Sequence, residues 1–516
     1  SEKDSMKNYT HNLSTAVLIC FFTLSLAWGS ASAARTPDEI SGSIYYARPG
    51  ETGNCSSWAE ACDLQTALAS AVSGDQIWAA SGVYKPTVSA NPAATFQLKS
   101  GVAIYGGFPA AGGGWESRNW EANPTSLSGD IGAQNINTDN SYHVVTSSGV
   151  NATAVLDGFT ICDGNASGDW SIFYDRGGGL IQFEGSPTLR NLTFRDNAAA
   201  QGGGMYTIDG SPTLTNVSFI NNSAGKGGGL AVTASNPVLT DVSFSGNTVN
   251  NRGGGMYTDS NSFSTLNRVV FEGNQSVGDN TYGGGMFNSG SRANLTDVTF
   301  HNNSSGWTGG AMANWSGSTI MLRSVTFSGN STRLYGGGME NSNSSQAVLT
   351  NVTFSGNTAQ SGGGAMFNDY HCDITLVNVD MVGNSGAEGG AIYNSESTLK
   401  LTNSIIWGNL PNQINNWNAT TAADHSIIQG GGYPGEGNLT VDPLLLPLGD
   451  YFGFTQTYGL SPASPAIDAG SPTTCPSADQ RGVFRPIDGN QDGTARCDIG
   501  AFEVPLSLYL PIVIRQ

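Results

Sequence analysis

The sequence has little charge, and most of its charge has one sign. Only 12% of the 516 residues are charged, against about a quarter in typical soluble domains. The 21 Lys and Arg residues are outnumbered by 40 Asp and Glu residues, which gives a formal net charge of −19. Binding to a phosphate backbone needs clustered Lys and Arg, so we expect no nucleic acid partner. The 38% hydrophobic content argues against an intrinsically disordered chain.

Motifs of several enzyme and metal sites are also missing. The chain contains no C-x-x-C pair, and no glycine triplet precedes Lys-Ser or Lys-Thr as in a phosphate-binding loop. His143, His301, His371 and His425 follow no spacing of a catalytic triad or a metal site. The "NTD" at 137–139 matches one polygalacturonase motif, but its companion motifs are absent. We therefore expect no catalytic residues; if the chain is an enzyme, the alternative is a polysaccharide lyase or glycosidase.

The N-terminus has the pattern of an export signal. Lys7 precedes a mostly apolar run at 13–28, and "SASAA" at 30–34 supplies small residues for cleavage. The run is short for a membrane span. We predict a cleaved signal peptide over 1–34 and no membrane span in the mature chain, with a retained N-terminal anchor as the alternative.

Export makes disulfides possible. Proximity along the chain predicts the pairs Cys55–Cys62 and Cys475–Cys497. Cys162 and Cys372 are expected to be single buried thiols.

One sequence motif recurs along the middle of the chain. It reads L-x-N-V-x-F-x-x-N, followed by a variable gap, three small residues and Met, Leu or Ile. Its last Asn recurs every 25 to 29 residues. The recurring positions are Asn197, Asn222, Asn247, Asn274, Asn303, Asn330, Asn357, Asn384 and Asn409. A fixed period of this size predicts a solenoid.

The composition of the repeat favours strands over helices. Its apolar runs are short and rich in β-branched and aromatic residues, and Gly and Asn interrupt them. Val217 and Phe219 are two residues apart and share one face of a strand, whereas Leu214 needs either a bend at Asn216 or a separate short strand to join them. Two or three short strands in each coil predict an all-β parallel β-helix with rungs about 4.8 Å apart. Equivalent Phe, Val and Met residues would then stack into a core, and the Asn residues would form a ladder of side-chain amides.

The units "FSGNTAQSGGGAMFN" and "FINNSAGKGGGLAV" resemble the repeat of chlamydial-type polymorphic outer membrane proteins. The resemblance covers roughly residues 155–410. It implies a right-handed parallel β-helix of the pectate-lyase-like class. It also implies a secreted or surface-exposed protein, often an adhesive one.

The two ends of the chain differ from the repeats. A short helix over about 63–72 and a strand at 77–80 predict an N-terminal cap and first coils over 43–150, before repeats at 151–430. After the repeats, "SPASPAIDAG" and "DQRGVFRPIDGNQDGTARCDIGAFE" resemble the choice-of-anchor Q domain, which implies a C-terminal domain at 431–503 and surface delivery. The apolar tail at 504–516 is interpreted as a sorting tail or a last edge strand.

One turn near the C-terminus has the start of a calcium-binding pattern. Asp488, Asn490 and Asp492 supply oxygens at alternate positions and precede a Gly, and Asp498 is a candidate fourth ligand. The alternative is a polar turn held by the nearby disulfide.

Variable loops predict where a ligand binds. The gap between each Asn and the next small triplet varies in length, so these loops should stack along one edge of the solenoid. Tyr282, Trp307 and Tyr335 precede the triplets of adjacent rungs and could form an aromatic ladder for a sugar chain. The alternative is that these rings pack on each other and shield the edge.

Together these patterns predict a secreted or cell-surface β-helix protein without catalytic activity, adhesin-like or used for surface display. The alternative is a carbohydrate-active protein that binds or cleaves polysaccharide. We expect a monomer whose partners are cell-surface glycans or other surface proteins, with calcium as the one candidate cofactor.

Overall fold

The computed structural model describes residues 42–134 and 136–505. The signal peptide predicted for residues 1–34 lies outside the described residues. So does the predicted tail from residue 506 onward.

The chain forms a right-handed parallel β-helix, as the repeat and its resemblance predicted. Three parallel sheets run along it, and each rung, meaning one turn of the coil, adds one strand to each sheet in the repeat region. We call them sheet 1, with 18 strands, sheet 2, with 12, and sheet 3, with 9. Sheet 1 contains Ile44–Ala47, Gln76–Ala80, Gly82–Tyr84, Ala103–Phe108, Thr125–Ser128, Val155–Cys162, Thr188–Arg195, Thr213–Ile220, Val238–Ser245, Phe263–Glu272, Arg292–His301, Thr319–Ser328, Gln346–Ser355, Asp373–Val382, Thr398–Thr402, Ile405–Trp407, Thr420–Asp424 and Ile427–Ile428.

Sheets 2 and 3 have shorter strands. Sheet 2 contains Phe96–Gln97, Val145–Ser148, Leu180–Phe183, Met205–Ile208, Leu230–Thr233, Met256–Asp259, Met286–Ser289, Met312–Trp315, Met339–Asn341, Met366–Asn368, Ile392–Ser395 and Ile414–Trp417. Sheet 3 contains Asn165–Ala166, Ala198–Gln201, Ser223–Lys226, Thr248–Arg252, Gln275–Ser276, Ser304–Ser305, Ser331–Thr332, Thr358–Gly362 and Ser385–Glu388.

The remaining elements lie near the ends. An antiparallel hairpin pairs Leu445–Gly449 with Thr457–Leu460. Within residues 42–134 and 136–505 the α-helix is Leu64–Ser70, and the 3-10 helices are Trp58–Glu60, Trp115–Ser117, Asn137–Asp139 and Trp170–Ile172.

One residue with left-handed backbone, in or next to the sheet 1 strand of nine successive rungs, lets apolar residues three positions apart both face the core. Asn216 has φ 53°, and this bend lets both Leu214 and Val217 point into the core. The equivalent residues of nine successive rungs have φ between 50° and 56°. They are Asn191, Asn216, Asp241, Arg268, Asp297, Ser324, Asn351, Asn378 and Asn403. Asn and Asp tolerate this conformation better than other non-glycine residues, which explains most of the choices.

The core is a set of straight columns. The seven rings of the Phe column lie with neighbouring centroids 4.6–4.9 Å apart and planes within 8° of parallel. They are Phe194, Phe219, Phe244, Phe271, Phe300, Phe327 and Phe354. Offset parallel rings at this spacing stabilise each other beyond the burial of their area.

The repeat Asn residues form a continuous buried ladder. Asn330 shows the pattern: its Nδ2 donates to Asn357 Oδ1 at 2.9 Å and to the main-chain oxygen of Phe300 at 3.0 Å. Its Oδ1 accepts from both the main-chain N–H and Nδ2 of Asn303. The side-chain bonds run from Asn197 to Asn409, which donates to Gln413. The ladder satisfies amide groups that would otherwise be buried without partners at the bend between sheets 1 and 3.

Sheet 2 carries a second amide ladder that the repeat pattern did not predict. It begins with Asn288, whose Nδ2 donates to Asn314 Oδ1 at 2.8 Å. It continues through Asn341, Asn368 and Asn394 to Asn416. The signal was present in the sequence as an Asn two residues after each of the later Met-position residues.

The N-terminal helix closes one end of the coil, as predicted. Asp63 caps it by accepting from the Gln65 N–H at 3.3 Å. Its Leu64, Ala67 and Leu68 are buried in the same cluster as the first rung residues. The open edge of the first coil is thereby covered, as the end of a solenoid requires.

The residues after the last rungs pack back on sheet 1. We call residues 442–505 the C-terminal segment. Thr326 and Thr353 face outward from sheet 1, and their hydroxyls bond to Gln456 O and to Gln480 Oε1. Asn378 donates to the main-chain oxygens of residues 498 and 500 at 3.0 and 2.9 Å. These bonds join the segment to the outer face of the last rungs.

Both disulfides predicted from proximity are present. Cys55–Cys62 closes a loop beside the cap, and Cys475–Cys497 links two parts of the C-terminal segment. Cys162 and Cys372 are buried free thiols, and burial raises the pKa of the Cys372 thiol to about 11. Among the described residues, no helix has the length and apolar character needed to cross a membrane.

Candidate ligand-binding face

The residues before the small triplets form one straight column between sheets 3 and 2. Each is bridged in parallel to its equivalent on the next rung. We call this the edge column; it runs Arg176, Gln201, Lys226, Arg252, Tyr282, Thr308 and Tyr335.

The predicted ladder of Tyr282, Trp307 and Tyr335 is wrong at its middle member. Thr308, not Trp307, is bridged to both Tyr282 and Tyr335. On this rung the small triplet begins at residue 309, so Thr308 is the residue directly before it and Trp307 falls one place out of register. Trp307 instead uses its main-chain oxygen to accept from Thr332 Oγ1 at 2.9 Å.

The edge column borders the outward-facing residues of sheet 2. We call these the outer column; in register they are Ile181, Tyr206, Ala231, Tyr257, Phe287, Ala313, Glu340, Phe367 and Tyr393. Most are buried although they face away from the core of the coil. Side chains from the edge column and Trp315 cover them. The two columns and Trp315 together are named the aromatic face.

Cations of the edge column lie on rings of the outer column. Arg176 lies 5.3 Å from the Tyr206 ring centroid and donates to its hydroxyl at 3.0 Å. Lys226 Nζ lies 5.1 Å from the ring of Tyr257. In each case the ring belongs to the next tyrosine-bearing rung, so the cations lean in one direction along the coil. Such cation–π contacts stabilise by about 0.5–1 kcal/mol at partly exposed sites.

The next rungs carry aromatic residues in place of cations. Tyr282 meets Trp315 edge to face, with ring centroids 4.6 Å apart, and both rings are only partly buried. Arg252 lies 5.3 Å from the Trp315 ring and 4.9 Å from that of Phe287. Tyr335 stacks on Phe367 at 4.6 Å. The rings therefore pack on neighbouring rungs and leave Tyr282 and Trp315 partly open to solvent.

Glu340 interrupts the outer column. Its register neighbours are Ala313 and Phe367, and its side chain is 3% exposed. The Thr308 hydroxyl donates a hydrogen bond to Glu340 Oε2. These two polar residues of the aromatic face therefore contact each other. Burial raises the pKa of the Glu340 carboxyl to about 7. A perturbed carboxyl beside aromatic rings is typical of functional sites, although structural networks also produce one.

The sequence patterns did not mark Trp315 or Glu340 as site residues. Trp315 ends a sheet 2 strand, three residues after Met312, and no repeat consensus places a ring there. Glu340 follows Met339 where most other rungs have Tyr, Phe or Ala. A comparison of this one position across rungs would have marked Glu340 as unusual.

The predicted calcium site comprises Asp488, Asn490, Asp492 and Asp498, and its carboxylates accept main-chain hydrogen bonds. Asp488 accepts from the main-chain N–H groups of Asp492 and Gly493 at 3.1 and 2.9 Å, so its oxygens face their own turn. Asp498 is buried and accepts from the N–H groups of Asp468 and Val504. No cluster of three or more His, Cys, Asp or Glu residues suited to a metal occurs in the described part of the chain. Calcium at Asp488, Asn490, Asp492 and Asp498 stays a prediction, which a calcium titration of the folded chain would test.

The comparisons with known proteins concern the repeat and the architecture. A family model described as the Chlamydia polymorphic membrane protein repeat matches residues 351–365. A search of curated proteins finds no match.

Two solved structures are similar to this chain at low scores. One, titled "Crystal structure of pectate lyase Pel9A", has a TM-score of 0.39 and 14% identity, covering 90% of this chain and 97% of that one. A structure titled "Rhamnogalacturonan lyase" has a TM-score of 0.31 and 11% identity, covering 80% and 92% of the two chains. At these scores neither similarity says anything about the activity of this chain.

Proposed function

We propose that this chain is a secreted or cell-surface β-helix protein that binds glycans along its aromatic face without cleaving them. The observation that carries the proposal is the Tyr282–Trp315 ring pair. Both rings are held in place by the buried outer column yet remain partly exposed. Rigid, partly exposed aromatic rings provide apolar faces against which sugar rings can pack, with little loss of conformational entropy.

The position of the aromatic face also supports a binding role. It lies along the edge where the loops differ in length from rung to rung, and such loops on a rigid scaffold are where binding residues usually occur. Successive rungs are about 4.8 Å apart, which is close to the length of one sugar unit in an extended chain. An extended glycan would therefore meet a new rung at each sugar.

The surroundings of the nearby carboxyl groups support binding without cleavage. Glu340 is shut off from solvent, and Asp259 Oδ2 accepts from the Tyr257 hydroxyl at 3.0 Å. A glycosidase needs two carboxyl groups that both reach the bond to be broken.

Attachment to a surface belongs to the same proposal. The repeat family is surface-exposed, and two disulfides suit an oxidising compartment. The C-terminal segment, which resembles the choice-of-anchor Q domain, would serve the attachment. Detection of the native chain in the culture medium or on intact cells, against a cytoplasmic marker, would test this part.

The binding proposal is tested by affinity electrophoresis on a panel of acidic and neutral polysaccharides. Tyr282→Ala and Trp315→Ala should each weaken binding by up to about tenfold, because stacking on one ring is worth about 0.5–1.5 kcal/mol. The matched control is Trp170→Ala, since Trp170 is 73% exposed and lies outside the aromatic face. Equal loss in the control, or no binding to any polymer, would reject the proposal.

A second candidate function rests on Glu340. A carboxyl that keeps its proton near neutral pH is suited to general-acid catalysis of glycosidic bond cleavage. Prolonged incubation with the same polysaccharides, followed by sizing of the products, separates the candidates. Shortened chains that disappear in Glu340→Gln would establish cleavage and overturn the non-catalytic proposal.

A further inference from the structure

Two cations on adjacent rungs of the aromatic face have no carboxylate partner. Lys226 and Arg252 are register partners in sheet 3. Neither lies within 4 Å of a carboxylate oxygen in the described ranges. The Nε of Arg252 is buried and has no hydrogen-bond acceptor.

Ten other cations of the described residues form ion pairs, whereas five more, Arg48, Lys99, Arg292, Arg323 and Arg496, form none. Arg268 pairs with Asp241 on the neighbouring rung at 2.6 Å, and Arg176, in the edge column itself, has Asp175 at 3.3 Å. With 40 acidic residues against 21 basic ones, carboxylates are plentiful. Like charges directly opposite each other in a sheet repel. Two unpaired cations in register therefore form a point where a bound anion would be stabilised by both.

Two acidic groups of the aromatic region, Asp259 and Glu340, form no ion pair with these cations. Burial raises the pKa of Glu340, and the Arg252 charge acts to lower it against this larger effect. Asp259 follows Tyr257 on the outward face of sheet 2 and accepts from its hydroxyl. Lys226 instead lies over the face of the Tyr257 ring. The ammonium group thus keeps its capacity to donate to an anion.

The surroundings of Arg252 indicate what kind of molecule carries the anion. Its guanidinium lies 5.4 Å from the ring of Tyr282 and 5.3 Å from that of Trp315. An anionic group bound to Arg252 is therefore within one sugar unit of the two partly exposed rings. A neutral sugar would pack on the rings without pairing with the cations. A small inorganic anion would pair with the cations without packing on the rings.

We propose that Lys226 and Arg252 bind the carboxylate or sulfate of an acidic glycan, one of whose sugar rings packs on Tyr282 and Trp315. This inference rests on the proposed glycan binding at the aromatic face and adds the chemical class of the ligand. Arg252 supplies the planar fork of donors that suits carboxylate and sulfate oxygens, and Lys226 supplies a second positive charge on the preceding rung.

The test measures affinity for alginate, carboxyl-reduced alginate, dextran sulfate and dextran at low and moderate salt. We expect alginate or dextran sulfate to bind at least about tenfold more tightly than its neutral counterpart, with affinity falling as salt rises. The preference for one of the two charged polymers identifies the anionic group as carboxylate or sulfate.

Variants connect this preference to the two residues. Lys226→Gln and Arg252→Gln should each weaken binding of the charged polymer about tenfold more than binding of the neutral one. Arg252→Lys keeps the charge and should restore part of the affinity. The matched control is Arg292→Gln, because Arg292 also lies over a ring, that of Phe263, at 5.3 Å, but on sheet 1.

The outcomes separate the anion site from the proposed glycan binding on which it rests. If charged and neutral polymers bind equally, and Tyr282→Ala weakens both, the aromatic face binds glycans and the anion site is rejected. The same holds if both Gln variants bind alginate and dextran sulfate like the wild type. If no polymer binds, both ideas fail together.

Discussion

Replacing Asp380 by asparagine is expected to hold the C-terminal segment more firmly above neutral pH. Asp380 faces outward from sheet 1, where the two preceding rungs have Thr326 and Thr353. Its side chain is 1% exposed beneath the segment. Oδ1 accepts from the Ala501 N–H at 3.2 Å, whereas Oδ2 is buried without a partner.

The magnitude follows from the proton that this carboxyl retains. Burial raises the pKa of Asp380 from 3.8 to about 7. Between these values an undocked segment releases the proton and the docked one keeps it, so docking weakens as pH rises. The loss from this group reaches about 4 kcal/mol above pH 7 and is about 1.5 kcal/mol at pH 5. Asparagine has nearly the same shape and cannot ionise, so the variant escapes this loss.

Hydrogen exchange at the Ala501 amide measures the docking free energy directly, without assuming two-state unfolding of the whole coil. Asp380→Asn should raise the opening free energy by about 2–4 kcal/mol at pH 8 and by much less at pH 5. Burial also raises the pKa of Asp498 to about 6 and of Glu503 to about 7, but both groups are present in wild type and variant alike. Asp373→Asn, at a residue with 57% side-chain exposure on the same strand, is the control. A variant less stable than wild type at pH 8 would refute the reasoning.

Two further predictions concern the coil itself. Asn330→Ala should destabilise the chain by about 3 kcal/mol or more, because it leaves buried partners on both adjacent rungs unpaired. The control is Asn294→Ala, on the outward face of sheet 1, which should change stability by under about 0.5 kcal/mol. Thermal melts compare the two, and equal effects would show that the ladder adds nothing. Arg268→Asn should stabilise by about 0.5–1 kcal/mol, because φ 53° costs Arg more than Asn and the exposed pair with Asp241 is weak. A loss of more than about 1 kcal/mol in urea unfolding would mean that the ion pair dominates.

The parts of the fold that repeat were predictable from the sequence. The bend at Asn216, the Phe column and the cap helix all follow from local spacing that recurs or from a local pattern. A parallel β-helix aligns equivalent residues, so one correctly interpreted rung describes its neighbours. This is also why a count that was one residue out, at Trp307, misplaced a whole member of the predicted aromatic ladder.

The parts that do not repeat were not predictable in the same way. The contacts of Asp380 with residue 501 join positions 121 residues apart, and no period relates them. The ring pair Tyr282–Trp315 depends on a side chain that leans from one column across to another. Such contacts depend on side-chain direction and on the path of the returning chain, which local patterns do not encode.

The most direct test of glycan binding without cleavage uses one experiment with two readouts. Residues 35–516 are incubated with calcium and a polysaccharide panel, and both the bound fraction and the polymer length are measured over time. We predict binding of at least one polymer that is weakened in Trp315→Ala, with no change in polymer length. Shortened polymer, or binding that Trp315→Ala leaves intact, would contradict the role assigned to the aromatic face.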